Sequence, residues 1–387
     1  MRFQAAGLKG IKLTVQEFSG GLGDMGTFLP LAASLCVVVG FNPGAVLFWA
    51  GVLNIATGLL FRLPFPVQPM KALAAVAIAG ELTHLQVSAA GLEMAVLLIL
   101  FSALGLVRRL YKYIPAALVR GIQAGIGIKL AMKGITFCAQ IPSGDSLLMA
   151  TAALSIAVIL LSGRFHRIPA ALIVFLGGAA FCVYQKGLPW SPGFDLSFAD
   201  PTVPGTGDWF AAMVHGVSVQ LPLTLLNSVV AVCALSKALF PEREVSETRI
   251  AASVGIMNAV SCLFGGMPVC HGAGGLAAQY RFGARTGGSV ILLGACFILT
   301  GLFLNTTALA LIKAYPKGIL GVMLLAAGWE LVKQVSRNRT AHEYIICGIT
   351  ALTMIFFEAM AGFCAGAGAA VLLSLIGKKK GGNNGVH

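Results

Sequence analysis

The sequence predicts an all-α polytopic membrane protein of about fourteen spans, arranged as two inverted seven-span repeats. Three observations predict this fold: an apolar composition, continuous apolar blocks of membrane-spanning length, and landmarks that recur about 202 residues apart. Of 387 residues, 57% are hydrophobic and 11% are charged, whereas a soluble domain has about 25% charged residues. The composition therefore excludes a soluble enzyme, a disordered protein and a secreted disulfide scaffold.

The apolar blocks have the length of transmembrane helices. A helix needs about 20 apolar residues to cross a hydrocarbon core of about 30 Å, whereas a β-barrel strand would alternate over about 10 residues. The blocks are continuous, so helical spans are predicted near residues 22–40, 44–61, 68–80, 86–107, 114–132, 146–162, 168–185, 210–235, 247–264, 271–280, 286–304, 315–332, 343–357 and 359–376. The third and tenth spans are too short to cross alone.

The charge distribution predicts the orientation of the chain. The formal net charge is +13, and basic residues accumulate in the cytoplasmic loops of multi-span proteins. With the N-terminus inside and fourteen crossings, 20 of the 27 basic residues fall on the cytoplasmic side. The longest outside loop carries Asp195, Asp200 and Asp208 instead. Both termini are therefore expected in the cytoplasm, and no nucleic-acid partner is predicted.

These spans divide the chain into five segments. They are a cytoplasmic N-terminal segment 1–14, a first repeat 15–186, an extracytoplasmic loop 187–208, a second repeat 209–377 and a cytoplasmic tail 378–387, without a soluble regulatory domain. The nine cysteines are odd in number and form no CxxC pair, so neither a disulfide framework nor a metal site is predicted, and no cofactor. With no organelle-targeting signal, the bacterial inner (plasma) membrane is the expected location.

Matching landmarks indicate that the chain is an internal duplication. In order, they are Gly51–Asn54 with Gly255–Asn258, Phe65–Met70 with Met267–Gly272, and Ile114–Pro115 with Tyr315–Pro316. Seven spans is an odd number, so the two halves must have opposite orientations. Inverted repeats with discontinuous helices that meet near the bilayer midplane are typical of secondary transporters.

The two Pro-Val motifs predict a binding site. Proline ends a preceding helix and favours extended backbone before it, so each motif predicts an extended stretch followed by a half-helix. Two half-helix N-termini that face each other would form an anion site, because their N–H groups lack partners and their dipoles are positive there. The candidate substrate-binding residues at these starts are Gln68, Pro69, Met70, Lys71, Cys270, His271, Gly272, Ala273 and Gly274.

Each candidate has an alternative interpretation. The motifs could be proline kinks without a ligand, and Lys71 could extend to the membrane surface or pair with a carboxylate. His271 could be a hydrogen-bonded core histidine or a proton carrier.

Two acidic residues lie at the start of the first span, Glu17 just before the 22–40 block and Asp24 inside it. Ionisable residues inside a span are costly and are usually functional. Both are therefore candidates to pair with Lys71, to bind a cation or, with His271, to couple protons. Gly21–Asp24 also matches the GxGD pattern of intramembrane aspartyl proteases, but the other aspartates fall in loops, so the required aspartate pair is missing. No enzymatic activity is predicted.

The eighth span carries neutral donors near one helical face. They are Gln220, Thr224, Asn227 and Ser228, which suit either substrate contacts or hydrogen bonds between helices. Thr27, Gln220 and Asn227 complete the predicted substrate shell.

Three blocks, Gly20–Pro30, Pro66–Ala72 and Gly266–Arg285, resemble the signatures of the molybdate transporter family of plants and bacteria. That family is a distant relative of the sulfate permeases and of the uracil/xanthine permeases. The resemblance implies a seven-plus-seven fold in which a core domain moves against a gate domain. It also implies a substrate between the third and tenth spans, with the first and eighth contributing.

Two departures from these relatives favour a compact oxyanion carrier. Sulfate permeases usually carry a C-terminal regulatory domain that this chain lacks, and nucleobase permeases carry acidic residues where this chain has Asn227 and His271. We therefore expect a secondary transporter that imports molybdate by an elevator-like movement. The alternative functions are a sulfate, tungstate or general oxyanion carrier and an anion channel. The sequence is also compatible with a homodimer.

Overall fold

The computed structural model describes residues 10–110, 113–141, 145–162, 170–187, 191–196, 201 and 203–382. The first half contains helices α1 (Val15–Leu22), α2 (Met25–Val39), α3 (Pro43–Phe61), α4 (Lys71–Ala79), α5 (His84–Ala103), α6 (Val107–Leu110), α7 (Ala116–Ala139), α8 (Ser146–Ser162) and α9 (Ala170–Lys186). The second half contains α10 (Thr206–Leu239), α11 (Glu247–Leu263), α12 (Ala273–Arg281), α13 (Gly288–Phe303), α14 (Asn305–Ala314), α15 (Lys317–Arg337), α16 (Ala341–Phe356) and α17 (Ala359–Gly382). Residues 1–9 of the predicted N-terminal segment, 188–190, 197–200 and 202 of the predicted loop, and 383–387 of the predicted tail lie outside the described residues.

Within the described residues, four helices are long and apolar enough to cross a membrane: α3, α5, α10 and α15. Two bent pairs would raise that number to six, α1 with α2 at 51° and α13 with α14 at 88°. Shorter apolar helices of 10–17 residues lie in four of the other predicted spans, 146–162, 168–185, 343–357 and 359–376. A helical, multi-span membrane protein is thereby confirmed, whereas the number fourteen stays a prediction.

The two predicted half-helices are present as α4 and α12. Each has nine residues and is about 14 Å long at 1.5 Å per residue, about half of the hydrocarbon thickness. Each follows a two-residue strand, β1 (Gln68–Pro69) or β2 (Val269–Cys270). The strands pair antiparallel, with Gln68 opposite Cys270, so the two halves of the chain meet where their half-helices begin.

The first span is broken between α1 and α2, at Gly23 and Asp24. A Cβ at Gly23 would lie 2.9 Å from the Ala278 carbonyl oxygen of α12. Glycine therefore allows the break to pack directly against α12, which places Asp24 beside the start of that half-helix.

Helix α14 was not predicted from the sequence. It follows an 88° turn at the end of α13, and the Asn305 side chain fixes this turn. Its Oδ1 accepts from the Gly44 N–H at 2.9 Å, and its Nδ2 donates to Asp195 at 2.7 Å. These contacts join segments that are far apart in sequence, so no local sequence pattern predicted them.

The helices form two closely packed groups. Helix α3 packs on α13 and α5 on α11, whereas α7 packs on α15 and α16. Close approach relies on facing glycines: a Cβ at Gly51 would lie 2.6 Å from the Gly294 carbonyl oxygen, and one at Gly127 would lie 2.7 Å from that of Gly328. Small residues at such contacts are usual where helices pack within a membrane.

Candidate functional site

The paired strands bring the starts of α4 and α12 together. Beyond the Gln68–Cys270 pair, the Met70 N–H donates to the Pro268 carbonyl at 3.0 Å. The Asn258 side chain holds β2 in place, because it accepts from the Val269 N–H at 2.8 Å and donates to the Val269 carbonyl at 2.6 Å. The extended motifs therefore form a fixed platform from which both half-helices begin.

The start of α4 is capped by a side chain from α10. The Gln220 Oε1 accepts from the N–H groups of Ala72 and Leu73, both at 3.0 Å. Its Nε2 donates to the Thr224 hydroxyl at 2.8 Å. Gln220, a predicted substrate ligand, thus satisfies two of the helix-start N–H groups itself.

The start of α12 has no such cap. The N–H groups of Ala273, Gly274 and Gly275 have no acceptor among the described residues. Gly272 and Gly275 are buried, whereas Gly274 is exposed. Unpartnered N–H groups at a helix start, together with the positive end of the dipole, favour an anion.

The Lys71 ammonium extends toward this open start. A Cβ at Gly274 would lie 4.0 Å from Lys71 Nζ. Lys71 is half-buried, and its ammonium lies within 4.0 Å of no carboxylate in the part of the chain that the structure describes. Among the described residues, this conformation therefore contains no ion pair between Lys71 and a carboxylate.

Asp24 and Gln68 form a buried pair beside the same helix start. The Gln68 Nε2 donates to Asp24 Oδ1, and both side chains are at most 2% exposed. A Cβ at Gly275 would lie 2.2 Å from Gln68 Nε2 and 2.5 Å from Asp24 Oδ1, and one at Gly272 would lie 2.0 Å from Gln68 Oε1. The glycines are thus required for the amide and the carboxylate to reach α12.

One oxygen of this pair has no partner. Gln68 Oε1 is buried and accepts no hydrogen bond among the described residues. A buried acceptor without a partner costs free energy, and such orphaned groups often mark a functional site.

Glu17 and His271 are occupied by structural hydrogen bonds. Both carboxylate oxygens of Glu17 accept from the N–H groups of Arg285 and Thr286, at 3.0–3.2 Å. The His271 Nδ1 lies 3.0 Å from the Pro66 carbonyl and its Nε2 lies 2.9 Å from the Ser253 hydroxyl.

The His271 ring also packs against Phe61 and Phe65 and is fully buried. This arrangement corresponds to the core-histidine alternative, since neither ring nitrogen is left for a substrate. It links the two halves by joining the end of one Pro-Val motif to the start of the other.

The remaining predicted ligands form fewer side-chain contacts. Thr27 and Asn227 are half-buried, and neither side chain is hydrogen-bonded to another described residue. Cys270 is buried. Pro69 and Met70 contribute backbone only, through the sheet and the bond to Pro268.

Two contributors were missed as site residues. Gly275 directly follows the predicted ligand Gly274 in the block Gly266–Arg285, and this position was the available signal. Asn258 was recognised only as a repeat landmark. Its counterpart Asn54 bonds to the Ala50 carbonyl and leaves Oδ1 buried without a partner among the described residues, so the clamp exists in the second repeat alone.

Known proteins are similar to this chain in sequence and in fold. A family model described as "Molybdate transporter of MFS superfamily" matches residues 16–130 and 212–331. Molybdate transporter 2 of Arabidopsis thaliana is 37% identical, over 93% of this chain and 87% of the relative. Molybdate transporter 1 of the same plant is 32% identical over 90% and 86%, and molybdate transporter 1 of Chlamydomonas reinhardtii is 30% identical over 90% and 89%.

Solved structures with the same fold are anion transporters of low sequence identity. The transmembrane domain of a cyanobacterium bicarbonate transporter, BicA, has a TM-score of 0.68 at 16% identity, covering 95% of this chain and 98% of that one. Murine SLC26A9 in the inward-facing state has a TM-score of 0.69 at 12% identity, covering 94% and 69%. These structures share the fold, and the family model and the relatives show that the chain belongs to the molybdate transporter family, as a multi-span membrane transporter and not an enzyme.

Proposed function

We propose that this protein is a secondary transporter that imports molybdate and binds it between the starts of α4 and α12. The observation that carries the proposal is an uncapped helix start beside an ammonium group without a carboxylate partner among the described residues. The N–H groups of Ala273, Gly274 and Gly275 would donate to the oxyanion, while Lys71 would supply positive charge. The names of the three plant and algal relatives support molybdate as the substrate.

The other predicted ligands differ in how directly they would contact the oxyanion. Gln68 has a second Nε2 hydrogen to donate while it holds Asp24. Thr27 and Asn227 would contact the oxyanion from α2 and α10. Gln220 acts through α4, because its oxygen is engaged by that helix start.

Asp24 is the residue that we assign to proton coupling. A carboxylate beside the site of a dianion repels it, and protonation removes that repulsion. Glu17 and His271 are weaker candidates, because their oxygens and nitrogens are already hydrogen-bonded. Molybdate and a proton would thus be taken up together, in symport.

The transport step would be an elevator-like shift of a core against a gate. Helices α1–α5 and α10–α13 would form the core, and α7–α9 and α15–α17 the gate, within fourteen spans and the repeats 15–186 and 209–377. Two side-chain contacts cross the proposed boundary: the Lys129–Glu81 ion pair, with Nζ 2.5 Å from Oε1, and the contact of His215 Nδ1 with Glu358 Oε2 at 3.6 Å. A shift of the core would break both. The proposed location is the plasma membrane, with both termini in the cytoplasm.

Uptake by the purified protein in proteoliposomes tests the function. We expect saturable molybdate uptake that tungstate blocks and that excess sulfate does not, with stimulation by an inward proton gradient. Equal competition by sulfate would replace molybdate with a general oxyanion as the substrate. Flux that does not saturate and shows no counterflow would contradict a carrier and favour a channel.

A further inference from the structure

A second basic site lies away from the substrate site, where α3 ends and α11 begins. It is a cavity of about 260 Å³. Its lining residues are Leu60, Phe61, Arg62, Arg243, Glu244, Val245 and Arg249. The proposed transport function uses none of its three arginines.

The arginines of this cavity carry positive charge that the described chain does not neutralise. None of the three guanidinium groups lies within 4.0 Å of a carboxylate in the described ranges. Glu244 Oε1 lies 3.3 Å from Lys237 Nζ, so its charge is already paired. Three guanidinium groups in one concave site favour a phosphate-like anion, which they can bind through forked hydrogen bonds.

The backbone at Arg62 supports a role for its side chain. Arg62 has a φ of 55° and is the one non-glycine residue with positive φ among the described residues. Helices commonly end on glycine at such a left-handed position, because a side chain is strained there. The Arg243 guanidinium donates to the Arg62 carbonyl at 2.7 Å and stabilises this conformation. Arg62 and Arg243 are thereby held next to each other at the end of α3.

The surroundings favour a lipid over a free anion. Leu59 and Leu60, at the end of α3, are 45% and 54% exposed, and Leu60 also lines the cavity. Positive charge next to exposed apolar side chains at the end of a span matches a lipid headgroup above its acyl chain. We infer that the cavity formed by Arg62, Arg243 and Arg249 binds the phosphate headgroup of an anionic phospholipid, with the acyl chains along Leu59 and Leu60.

Lipid binding by the purified full chain in neutral detergent tests this inference. Affinity for dioleoylphosphatidylglycerol would be measured by thermal-shift titration, beside dioleoylphosphatidylcholine and inorganic phosphate at equal phosphate concentration. We expect stabilisation by phosphatidylglycerol alone. Replacing Arg62, Arg243 and Arg249 together with Gln should weaken that affinity by about 5-fold per removed charge.

A matched variant separates the cavity from general surface charge. Arg109, Arg337 and Arg339 are exposed and lie outside the cavity, and their joint replacement with Gln should leave the affinity within about 2-fold. Equal weakening in both triple variants, or equal stabilisation by inorganic phosphate, would overturn the lipid site. If the cavity variant fails to fold, Arg249→Gln against Arg337→Gln provides the same comparison, with about 5-fold expected for the former only.

Discussion

The starts of α4 and α12 follow matching motifs about 202 residues apart, yet their hydrogen bonding differs. At α4, Gln220 accepts from two helix-start N–H groups, and the first helical residue is Lys71. At α12, three N–H groups have no acceptor among the described residues, and the helix opens Ala-Gly-Gly. The two motifs thus share a backbone path, while α4 begins with a charged side chain and α12 begins with N–H groups that have no acceptor among the described residues.

Crowding of the α12 start should give the largest effect. Gly275→Ala would place a methyl group 2.2 Å from Gln68 Nε2 and 2.5 Å from Asp24 Oδ1, so the buried pair must shift. Such overpacking costs about 1–3 kcal/mol, and we expect molybdate uptake to fall by about 10- to 100-fold. Gly348→Ala is the control, because a Cβ there would meet nothing within 4 Å. Normal uptake by the Gly275 variant would contradict the packing of the site.

Loss of the charge at the α4 start should have an effect of similar size. A hydrogen bond to a charged group is worth about 1.5–3 kcal/mol, so Lys71→Gln should weaken molybdate binding by about 10- to 100-fold. Binding would be measured by calorimetry and by the KM of uptake. Lys133→Gln in α7 is the matched control, since its ammonium lies over the Phe137 ring at 5.6 Å. Equal affinities of the two variants would remove Lys71 from the site.

Neutralisation of Asp24 separates binding from coupling. Asp24→Asn keeps an acceptor oxygen for Gln68 but carries no charge and takes up no proton. We expect uptake down a molybdate gradient to persist within about 10-fold, while stimulation by an inward proton gradient disappears. Glu17→Gln, a change at a residue that caps backbone N–H groups, should retain the stimulation. Stimulation that survives in the Asp24 variant would move coupling to another residue.

Removal of the α4 cap should have the smallest effect on binding. Gln220→Ala leaves the N–H groups of Ala72 and Leu73 without their acceptor, and loss of a cap costs about 1 kcal/mol. We expect a lower melting temperature and a change in molybdate affinity of less than about 5-fold. An affinity loss as large as that of Lys71→Gln would make Gln220 a direct ligand, and the two helix starts would then be more alike than the structure indicates.

Local signals account for what the sequence predicted well. Most apolar blocks agree with the helices within a few residues, as in 44–61 against Pro43–Phe61, because block length follows from bilayer thickness. The first span begins earlier than the predicted residue 22, at Val15, and the helix predicted to end near residue 132 continues to Ala139. Proline chemistry predicted the extended stretches and half-helices at Gln68 and Cys270. Repeat spacing anticipated that both motifs would have the same local structure.

The sequence by itself determined a polytopic helical protein, its duplication, and the glycine-rich and proline-rich segments that build a site. Only the tertiary structure decided which candidate side chains are left for a substrate. Gln220 reaches α4 across 148 residues, and Glu17 reaches Thr286 across 269. Residue type shows that a polar group must find a partner when buried, but the partner is set by helices that pack together from distant parts of the chain. For that reason Glu17 and His271 are hydrogen-bonded within the protein. Lys71 has no carboxylate partner, and the N–H groups at the start of α12 have no acceptor, among the described residues.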